Sequence, residues 1–475
     1  MTPAPALDPN RWRSLAVILS AAFLVGLDFF VVNVAIPSIQ ADLHATFAQI
    51  QLVIASYGLS YAVLLISGGR LGDIHGRKRM FMLGISGFIL TSLFCGLAHS
   101  PDVLIAARAL QGITGALLFP QVLSIMQVTF PPQERAAAFG LFGMVIGISA
   151  FSGNVLGGLL VYANWFGLGW RPIFLINLPV GLITMWAAVA LVKESRSPKA
   201  RRLDLGGVAI LTTALAMLLY PLIEGRETGW PAWCFVLLAA ALPMLAVFVR
   251  YEKWITARGG SPLVELGLFH DRTFVIGLFS GICFFNTTAS FFLISTIFLQ
   301  NGLGYSAKDA GLTFAAFAVA FLCSSLSSAR IQPKMGSWII NMGLTLMMAG
   351  LVMLLWLTDH HGARLTGFDL APALLIYGTG QGFVMPTLFS TILINIKGHD
   401  AGSASGVLST VQQVSFAMGV AVIGTVFFGA LDPHAAVAGF VHALRTAFSV
   451  NLGLLAATFL LILQVPRFPI RDTKK

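Results

Sequence analysis

Asp28 is the one acidic residue that lies well inside a long apolar run of this sequence, the run from about residue 14 to residue 36. Burying a carboxylate in the middle of a membrane costs about 2.5 to 3.5 kcal/mol on insertion scales, so such a residue usually faces a cavity, pairs with another group or takes up a proton. We therefore predict that Asp28 binds and releases protons during function. A purely structural carboxylate is the alternative.

Arg108 is the matching cation, because it is the only Lys or Arg deep inside an apolar run. Gln111 follows three residues later and shares its helix face. At roughly 1.5 Å per residue, Arg108 lies on the order of 9 Å from the outer end of its helix and Asp28 on the order of 12 Å. We hypothesise that Arg108 weakens proton binding by Asp28 in one conformation and is withdrawn in another. An arginine that only braces its helix by bonding backbone carbonyls is the alternative.

The remaining reactive residue types argue against other chemistry. None of the nine histidines lies well inside an apolar run, which disfavours a histidine proton relay. No glycine-rich phosphate loop is present, so we expect neither a nucleotide cofactor nor any other cofactor, and no metal site. A membrane enzyme would need reactive groups clustered at one depth. We therefore predict that the chain is not an enzyme.

The four cysteines fall inside apolar runs and are interpreted as small apolar filler; they are Cys95, Cys234, Cys283 and Cys323.

The composition indicates an all-α polytopic membrane protein. Of the 475 residues, 57% are hydrophobic and only 10% are charged, which a soluble domain would not tolerate. The net charge of +10 comes from short basic clusters between apolar runs, so no nucleic acid partner is expected. Runs of roughly 20 apolar residues predict fourteen spans. They lie near 14–36, 47–67, 80–98, 102–128, 137–162, 172–193, 205–223, 231–250, 273–300, 308–330, 336–357, 371–395, 403–430 and 448–466.

The distribution of positive charge predicts the orientation of these spans. With the N-terminus in the cytoplasm, all but six of the 29 Lys and Arg residues fall on the cytoplasmic side. The six exceptions are Arg108 within a span and Arg171, Arg226, Lys308, Arg364 and Arg445 outside. Cytoplasmic loops are the basic ones in membrane proteins. An even number of spans then places both termini in the cytoplasm.

Two long charged segments divide the chain into three parts. The segments run from Lys193 to Asp204 and from Arg250 to Arg272, with two spans between them, six spans before and six after. This arrangement predicts a six-helix bundle over residues 1–200, two inserted linker helices over 201–262 and a second six-helix bundle over 263–475. Two such halves would place a substrate site at their interface near the bilayer midplane.

A basic segment separates the second and third predicted spans and contains Gly69, Asp73, Gly76 and Arg77. On charge alone it is any cytoplasmic hairpin of a membrane protein. Its spacing of glycine, acid and arginine resembles the loop between the second and third spans of major facilitator superfamily transporters. That resemblance implies that the glycines allow close helix approach, and that Asp73 and Arg77 latch the cytoplasmic gate in one conformation.

Further segments are similar to the fourteen-span drug:proton antiporter branch of that superfamily. Residues 27–37 resemble its first-span motif, with Asp28 and Asn33 at the positions of the acid and the asparagine. Residues 108–116 resemble the fourth-span motif, and Tyr57 matches a second-span position. Phe30 stands where that branch commonly has threonine, which predicts a less polar cavity. Asp28, Arg108, Gln111, Asn33 and Tyr57 are thus the residues expected to carry proton coupling or substrate binding.

The fifth predicted span is rich in glycine at four-residue spacing, which lets helix backbones touch. It contains Gly147, Gly153, Gly157 and Gly158. Packing alone explains these glycines, although the segment also resembles the glycine-rich motif of antiporters. Asn154 stands where that motif has proline, so the expected backbone kink is missing.

Together these features predict a major facilitator fold that exports hydrophobic, cationic drugs or toxic compounds in exchange for protons. The partners expected are a small-molecule substrate, protons and the lipid bilayer, for a monomer in the bacterial inner membrane that works by alternating access. In the second span, Leu52 and Ala55 stand where the antiporter branch usually has Trp and Thr, which makes the span less polar. This feature and Asn154 leave open the alternative of an exporter or uptake transporter of a specific endogenous metabolite with different coupling.

Overall fold

A computed structural model describes residues 9–197, 204–225, 228–260, 262–305, 307–397, 400–432 and 436–465. The described chain contains helices and turns and no strand, as the sequence predicts. The α-helices are α1 (Arg11–Leu43), α2 (Phe47–His75), α3 (Arg77–Gly96), α4 (Pro101–Thr129), α5 (Pro132–Ala163), α6 (Pro172–Leu175), α7 (Asn177–Leu191), α8 (Leu205–Glu224), α9 (Ala232–Ala257), α10 (Arg272–Ile297), α11 (Ala307–Thr313), α12 (Ala315–Met335), α13 (Trp338–His361), α14 (Gly367–Ile392), α15 (Ala401–Met418), α16 (Gly424–Ala430) and α17 (Ala436–Leu463).

Twelve segments of the described chain are long and apolar enough to cross a membrane. They correspond to α1, α2, α3, α4, α6 with α7, α8, α9, α10, α11 with α12, α13, α15 with α16, and α17. Helices α5 and α14, of 32 and 26 residues, are not among the twelve. The all-helical membrane architecture is therefore confirmed, whereas helix length and composition alone do not establish the predicted count of fourteen.

Helix α14 contains several small and polar residues in the part that other helices enclose. From Tyr377 to Ile392 every residue except Thr379 is buried. A Cβ built on Gly380 would lie 2.4 Å from the carbonyl oxygen of Gly343 in α13, so the two backbones are in direct contact. A helix shielded from lipid in this way can carry Gly, Thr and Gln without exposing them to hydrocarbon.

Several predicted spans are interrupted or shifted. The sixth span divides at Ile176 into α6 and α7, and the tenth divides at Phe314 into α11 and α12. The thirteenth contains a π-helical turn over Gly419–Ile423, a distortion that frequently marks functional segments of a helix. The last span starts earlier than predicted, with α17 beginning at Ala436. Apolar content alone does not locate these breaks.

Helix packing follows the halves of the chain. In the first half α1 packs on α5, and α4 packs on α2 and α3; in the second half α14 packs on α12 and α13, and α10 on α17. The halves meet where α2 contacts α15 and where α5 contacts α12 and α14. Helices α8 and α9 pack on each other, and α8 also contacts α2 and α15.

Candidate functional site

Asp28 lies at the centre of a buried polar network and has no exposed surface. Its Oδ2 atom is 2.5 Å from Nη1 of Arg108, and its Oδ1 atom accepts hydrogen bonds from Gln111 Nε2 at 2.9 Å and Asn177 Nδ2 at 2.8 Å. The donors come from α4 and from the start of α7, whereas Asp28 belongs to α1. The carboxylate of Asp28 thus has one cation and two amide groups as hydrogen-bond donors.

Arg108 is satisfied by several groups at once. Its Nη1 atom also donates to Gln111 Oε1 at 2.7 Å, and its Nε atom donates to the carbonyl of Val53 at 3.3 Å. The guanidinium carbon lies 4.1 Å from the ring centroid of Tyr57 and 5.6 Å from that of Phe174. Arg108 therefore both pairs with Asp28 and braces a backbone carbonyl, which the sequence analysis treated as alternatives.

Three residues that sequence reasoning did not assign to the site belong to this network. Ser92 Oγ in α3 accepts from Gln111 Nε2 at 2.8 Å and from Asn177 Nδ2 at 3.2 Å. Cys95 Sγ lies 3.5 Å from Gln111 Oε1, so this thiol is more than apolar filler. Asn177 was the one of the three with a sequence signal, since it is an amide inside an apolar run.

Tyr57 is buried beside Arg108, and its predicted role in substrate binding or proton coupling stays a prediction. Its hydroxyl has no hydrogen-bond partner among the described residues. The side chains of Asn33 and Asn154 lie outside the described residues, so their predicted roles stay predictions.

Glycines of α5 bring that helix against α1, next to the network. A Cβ built on Gly153 would lie 2.7 Å from Phe30 Cβ, and one on Gly157 would lie 3.0 Å from the carbonyl oxygen of Val31. Gly147 instead faces the second half, where its Cβ would lie 2.2 Å from the ring of Phe321. Gly158 is half-buried. These contacts are the close helix packing that four-residue glycine spacing allows.

The predicted gate residues lie on helices rather than in a loop. Gly69 and Asp73 belong to the last turns of α2, Arg77 begins α3, and Gly76 between them has a φ of +112°, a conformation that favours glycine. Asp73 is fully buried; its Oδ1 accepts from Arg77 Nη2 at 2.6 Å, and its Oδ2 accepts from the backbone amide of Ser403 at 3.2 Å. This carboxylate therefore joins α2, α3 and α15.

The backbones of α2 and α15 touch at the same level. A Cβ built on Gly69 would lie 2.3 Å from the carbonyl oxygen of Gly402, and one on Gly406 would lie 2.8 Å from Cα of Ile66. Nearby, Gln127 Nε2 of α4 donates to the carbonyl of Leu393 at 2.6 Å. The two halves of the chain are thus closed at the end that contains Asp73.

Aromatic rings connect the Arg108 environment to the second half. Successive ring centroids lie 5.5 to 6.2 Å apart, and the contact between the halves joins Phe142 to Phe389. We call this set the aromatic row; it contains Tyr57, Tyr61, Phe119, Phe142, Phe389, Phe285 and Phe416. It is an apolar, π-rich path across the interface between the two halves.

At the opposite end from Asp73, a second ion pair joins α1 to the segment before α6. Asp42 Oδ2 accepts from Trp170 Nε1 at 3.0 Å and from Arg171 Nη1 at 2.8 Å. The Trp170 hydrogen bond, followed by the bond and charge of Arg171, lowers the pKa of Asp42 below its ordinary value. Asp42 therefore stays ionised at this end of α1.

Known proteins resemble the chain over most of its length. A family model described as Major Facilitator Superfamily matches residues 18–420. The "Probable actinorhodin transporter" of Streptomyces coelicolor is 43% identical over 428 residues, covering 90% of this chain and 74% of the relative. The "Tetracenomycin C resistance and export protein" of Streptomyces glaucescens is 31% identical over 427 residues, covering 89% of this chain and 77% of the relative.

The fold is similar to that of a solved transporter. The crystal structure of the human organic anion transporter MFSD10 (TETRAN) superimposes with a TM-score of 0.68 at 16% identity, covering 96% of this chain and all of that chain. At this identity the likeness concerns the fold alone. The expectation that the chain is a transporter and not an enzyme is confirmed by its family. Because the family model matches most of the chain, this protein belongs to the Major Facilitator Superfamily.

Proposed function

We propose that the protein is a proton-coupled exporter of hydrophobic compounds in the bacterial inner membrane. The observation that carries this proposal is the buried pair of Asp28 and Arg108. Relatives of the same family include proteins named for antibiotic transport, resistance and export, which supports export as the direction of transport.

Proton coupling follows from how Asp28 is held. In the present conformation its two oxygens accept from Arg108, Gln111 and Asn177, and the carboxylate has no contact with solvent. Adding a proton here would leave the charge of Arg108 buried and unpaired, which is strongly unfavourable. Protonation of Asp28 must therefore accompany a movement that separates it from Arg108, and this links proton uptake to conformation.

We propose that the gate around Asp73 opens in that second conformation. The contacts between α2 and α15 close one end of the molecule now, and alternating access requires that they separate when the opposite end closes. Asp73 and Arg77 would favour the closed gate through their 2.6 Å contact.

We further propose fourteen membrane crossings, arranged as six, two and six, with the three parts at 1–200, 201–262 and 263–475 and both termini in the cytoplasm. The first turn of helix α5 contains Glu134, which pairs with Arg11 at 2.7 Å, and the helix ends before the segment that contacts Asp42. These two contacts lie at opposite ends of α1, so α5 has the extent of a full crossing.

The same reasoning applies to α14. Two residues before its start, the carbonyl of Leu365 accepts a hydrogen bond from the hydroxyl of Tyr305, which follows the end of α10. After the other end of α14, Asn395 Nδ2 donates to Asp271 Oδ2 at 2.9 Å, immediately before the start of α10. Contacts with both ends of α10 support a crossing by α14.

The substrate proposed is a hydrophobic compound that contacts the aromatic row. In the closed arrangement these rings pack against one another, and separation of the halves would uncover their faces to a ligand. Stacking on rings favours planar and lipophilic molecules, and ring faces also attract cations. Preference for cationic compounds would require that Asp28 be released from Arg108, since only then does its charge become available.

Proteoliposome transport of a fluorescent lipophilic cation and a neutral aromatic dye tests the proposal. An imposed pH gradient should drive accumulation of the dye by the wild-type protein and not by Asp28→Asn. The carboxamide keeps the shape of the site but cannot exchange a proton, and Asp359→Asn, at an exposed acid, is the control. Transport by Asp28→Asn that still follows the gradient would exclude Asp28 as the coupling group. Transport of a single metabolite without response to the gradient would favour the alternative of a specific metabolite transporter.

A further inference from the structure

Besides Asp28 and Asp73, a third carboxylate is buried, and it lies at the end of the molecule that contains the gate. Glu252 in α9 has no exposed surface, although it follows an apolar run that is bounded by basic residues. One of its oxygens, Oε2, accepts from the backbone amide of Val264 at 3.3 Å. Its other oxygen, Oε1, is buried and has no hydrogen-bond partner in the described chain.

Asp204 has a second buried carboxylate oxygen without a hydrogen-bond partner among the described residues, and it lies near Glu252 Oε1. As the cap of α8 it accepts through Oδ1 from the amide of Gly207 and from the hydroxyl of Tyr251, each at 3.0 Å. Its Oδ2 is buried and also unpartnered among the described residues. A Cβ built on Gly207 would lie 2.6 Å from Asp204 Oδ2 and 2.6 Å from Glu252 Oε1. The two oxygens are thus separated by at most twice that distance, and Gly207 places no side chain between them.

Two ionised carboxylates so close together repel each other, and burial strengthens the repulsion. One proton on the pair removes a negative charge and supplies a donor to an oxygen that lacks one. A metal ion is less suited to the site, because hard cations need more oxygen ligands than the two available here. The described chain also contains no group of three metal-ligating side chains.

We propose that Asp204 and Glu252 form a proton-binding site on the inserted helices α8 and α9, distinct from Asp28. The proton comes from water at this end of the molecule and binds between Glu252 Oε1 and Asp204 Oδ2. Among the described residues, Tyr251 of α9 and Arg70 of α2 interact with the pair, and Glu265 of the segment after α9 lies beside Arg70.

Arg70 connects this site to the gate. It follows Gly69 in α2, is almost completely buried, and its Nη2 lies 3.9 Å from Oε1 of Glu265. Helix α8 contacts both α2 and α15, the two helices that close the gate. A negative charge on Glu252 would attract Arg70 away from its present position, whereas a neutral pair leaves it there. The protonated site therefore favours the closed gate.

Infrared difference spectroscopy of the purified full-length protein tests the site directly. At neutral pH the wild type should show the carbonyl band of a protonated carboxylic acid, and Glu252→Gln should lose that band. Asp204→Asn should weaken it, since the repulsion that retains the proton is gone. Glu265→Gln and Asp28→Asn should leave it unchanged, because Glu265 is half-exposed and Asp28 is ion-paired. The spectra need neither substrate nor gradient, so their outcome is separate from that of the transport assay.

Hydrogen exchange tests the connection to the gate. Raising the pH should speed exchange of residues 401–406 in the wild type, after correction for the intrinsic rate, and should have no such effect in Glu252→Gln. A carboxylic acid band that persists in Glu252→Gln, or one that Mg²⁺ or Na⁺ removes at constant pH, would overturn the proton site. An equal pH response of the gate in both proteins would overturn its link to Arg70.

Discussion

At the scale of single residues, the Asp28 network explains how a buried charge is tolerated. A buried ion pair stabilises a protein only if the remaining donors and acceptors are also satisfied. Both oxygens of Asp28 have partners, and Arg108 donates to Asp28, Gln111 and the carbonyl of Val53. The pair is therefore stable as a pair and unstable when either member is removed alone.

We predict that Arg108→Met destabilises the protein by about 3–5 kcal/mol, because it leaves Asp28 buried without a cation. Adding Asp28→Leu should restore part of that stability, since the double variant replaces the pair by apolar groups. Thermal unfolding of the purified proteins measures this. Neither variant should transport in response to a pH gradient. A double variant less stable than Arg108→Met would show that the two side chains do not act as a pair.

We predict that the free energy of unfolding depends on pH through Asp42, which lies near the end of α1. Because Trp170 and Arg171 lower its pKa in the folded protein, the unfolded chain binds the proton more readily. The stabilisation is present above the ordinary value of 3.8 and is lost as the pH falls through the lower folded value.

The loss should be below about 1 kcal/mol, because the ion pair is partly exposed. Comparing the unfolding temperatures of the wild type and Asp42→Asn between neutral and acidic pH isolates the effect. The difference between the two proteins should shrink on acidification, and a constant difference would contradict the prediction.

Sequence reasoning identified Asp28, Arg108 and Gln111, and the structure brings all three together. An isolated charge in an apolar run is visible without knowledge of the fold. Ser92 and Cys95 are ordinary small residues of a span, and only the rotation of α3 relative to α4 turns them toward Gln111. Glu252 was missed because it lies next to cationic residues at the end of a span, a position typical of hydrated charge.

At the scale of helices, the gate depends on contact between backbones. Gly69 of α2 and Gly402 of α15 leave no room for a Cβ, since one built on Gly402 would lie 2.4 Å from Cγ of Asp73 and 2.4 Å from the Gly69 carbonyl oxygen. Helices approach this closely only where both partners are small. Closure at this end therefore requires glycine rather than a particular polar side chain.

Gly402→Ala should open this contact. The added methyl group overlaps backbone atoms that cannot rotate away, so the closed arrangement becomes less favourable. Hydrogen exchange of residues 401–406 should be faster than in the wild type, because the Ser403 amide loses its bond to Asp73. Gly58→Ala is the matched control, since it lies in α2 and has open space around its Cβ. Unchanged exchange in Gly402→Ala would mean that the closure tolerates a side chain.

The helices that face lipid could be predicted from the sequence, because contact with lipid requires apolar residues. Most spans appear as apolar runs, and the segment at Gly69 to His75 is the exception, since α2 continues through charged residues that were predicted as a loop. Asp73 and Arg77 neutralise each other there, which allows the helix to continue without hydrated charge. The breaks at Ile176 and Phe314 depend on neighbouring helices and leave no signal in hydrophobicity.

At the scale of the whole molecule, topology distinguishes fourteen crossings from twelve. Alkaline phosphatase, which is active only outside the cytoplasm, should be active when fused after residue 167 and inactive when fused after residue 397. If α5 did not cross, the fusion at 167 would be inactive, and if α14 did not cross, the fusion at 397 would be active. Green fluorescent protein at the C-terminus should fluoresce, because that terminus is proposed to be cytoplasmic.

The glycine contact between α2 and α15 also limits how such a transporter adapts to new substrates. The closed gate is formed by contacts between backbone atoms. Any side chain at these positions would prevent the two helices from approaching so closely. Selection for a different compound therefore has little freedom at Gly69, Gly402 and Gly406. Adaptive substitutions should instead accumulate in the aromatic row between the halves. There, one aromatic or aliphatic side chain can replace another without hindering the conformational change.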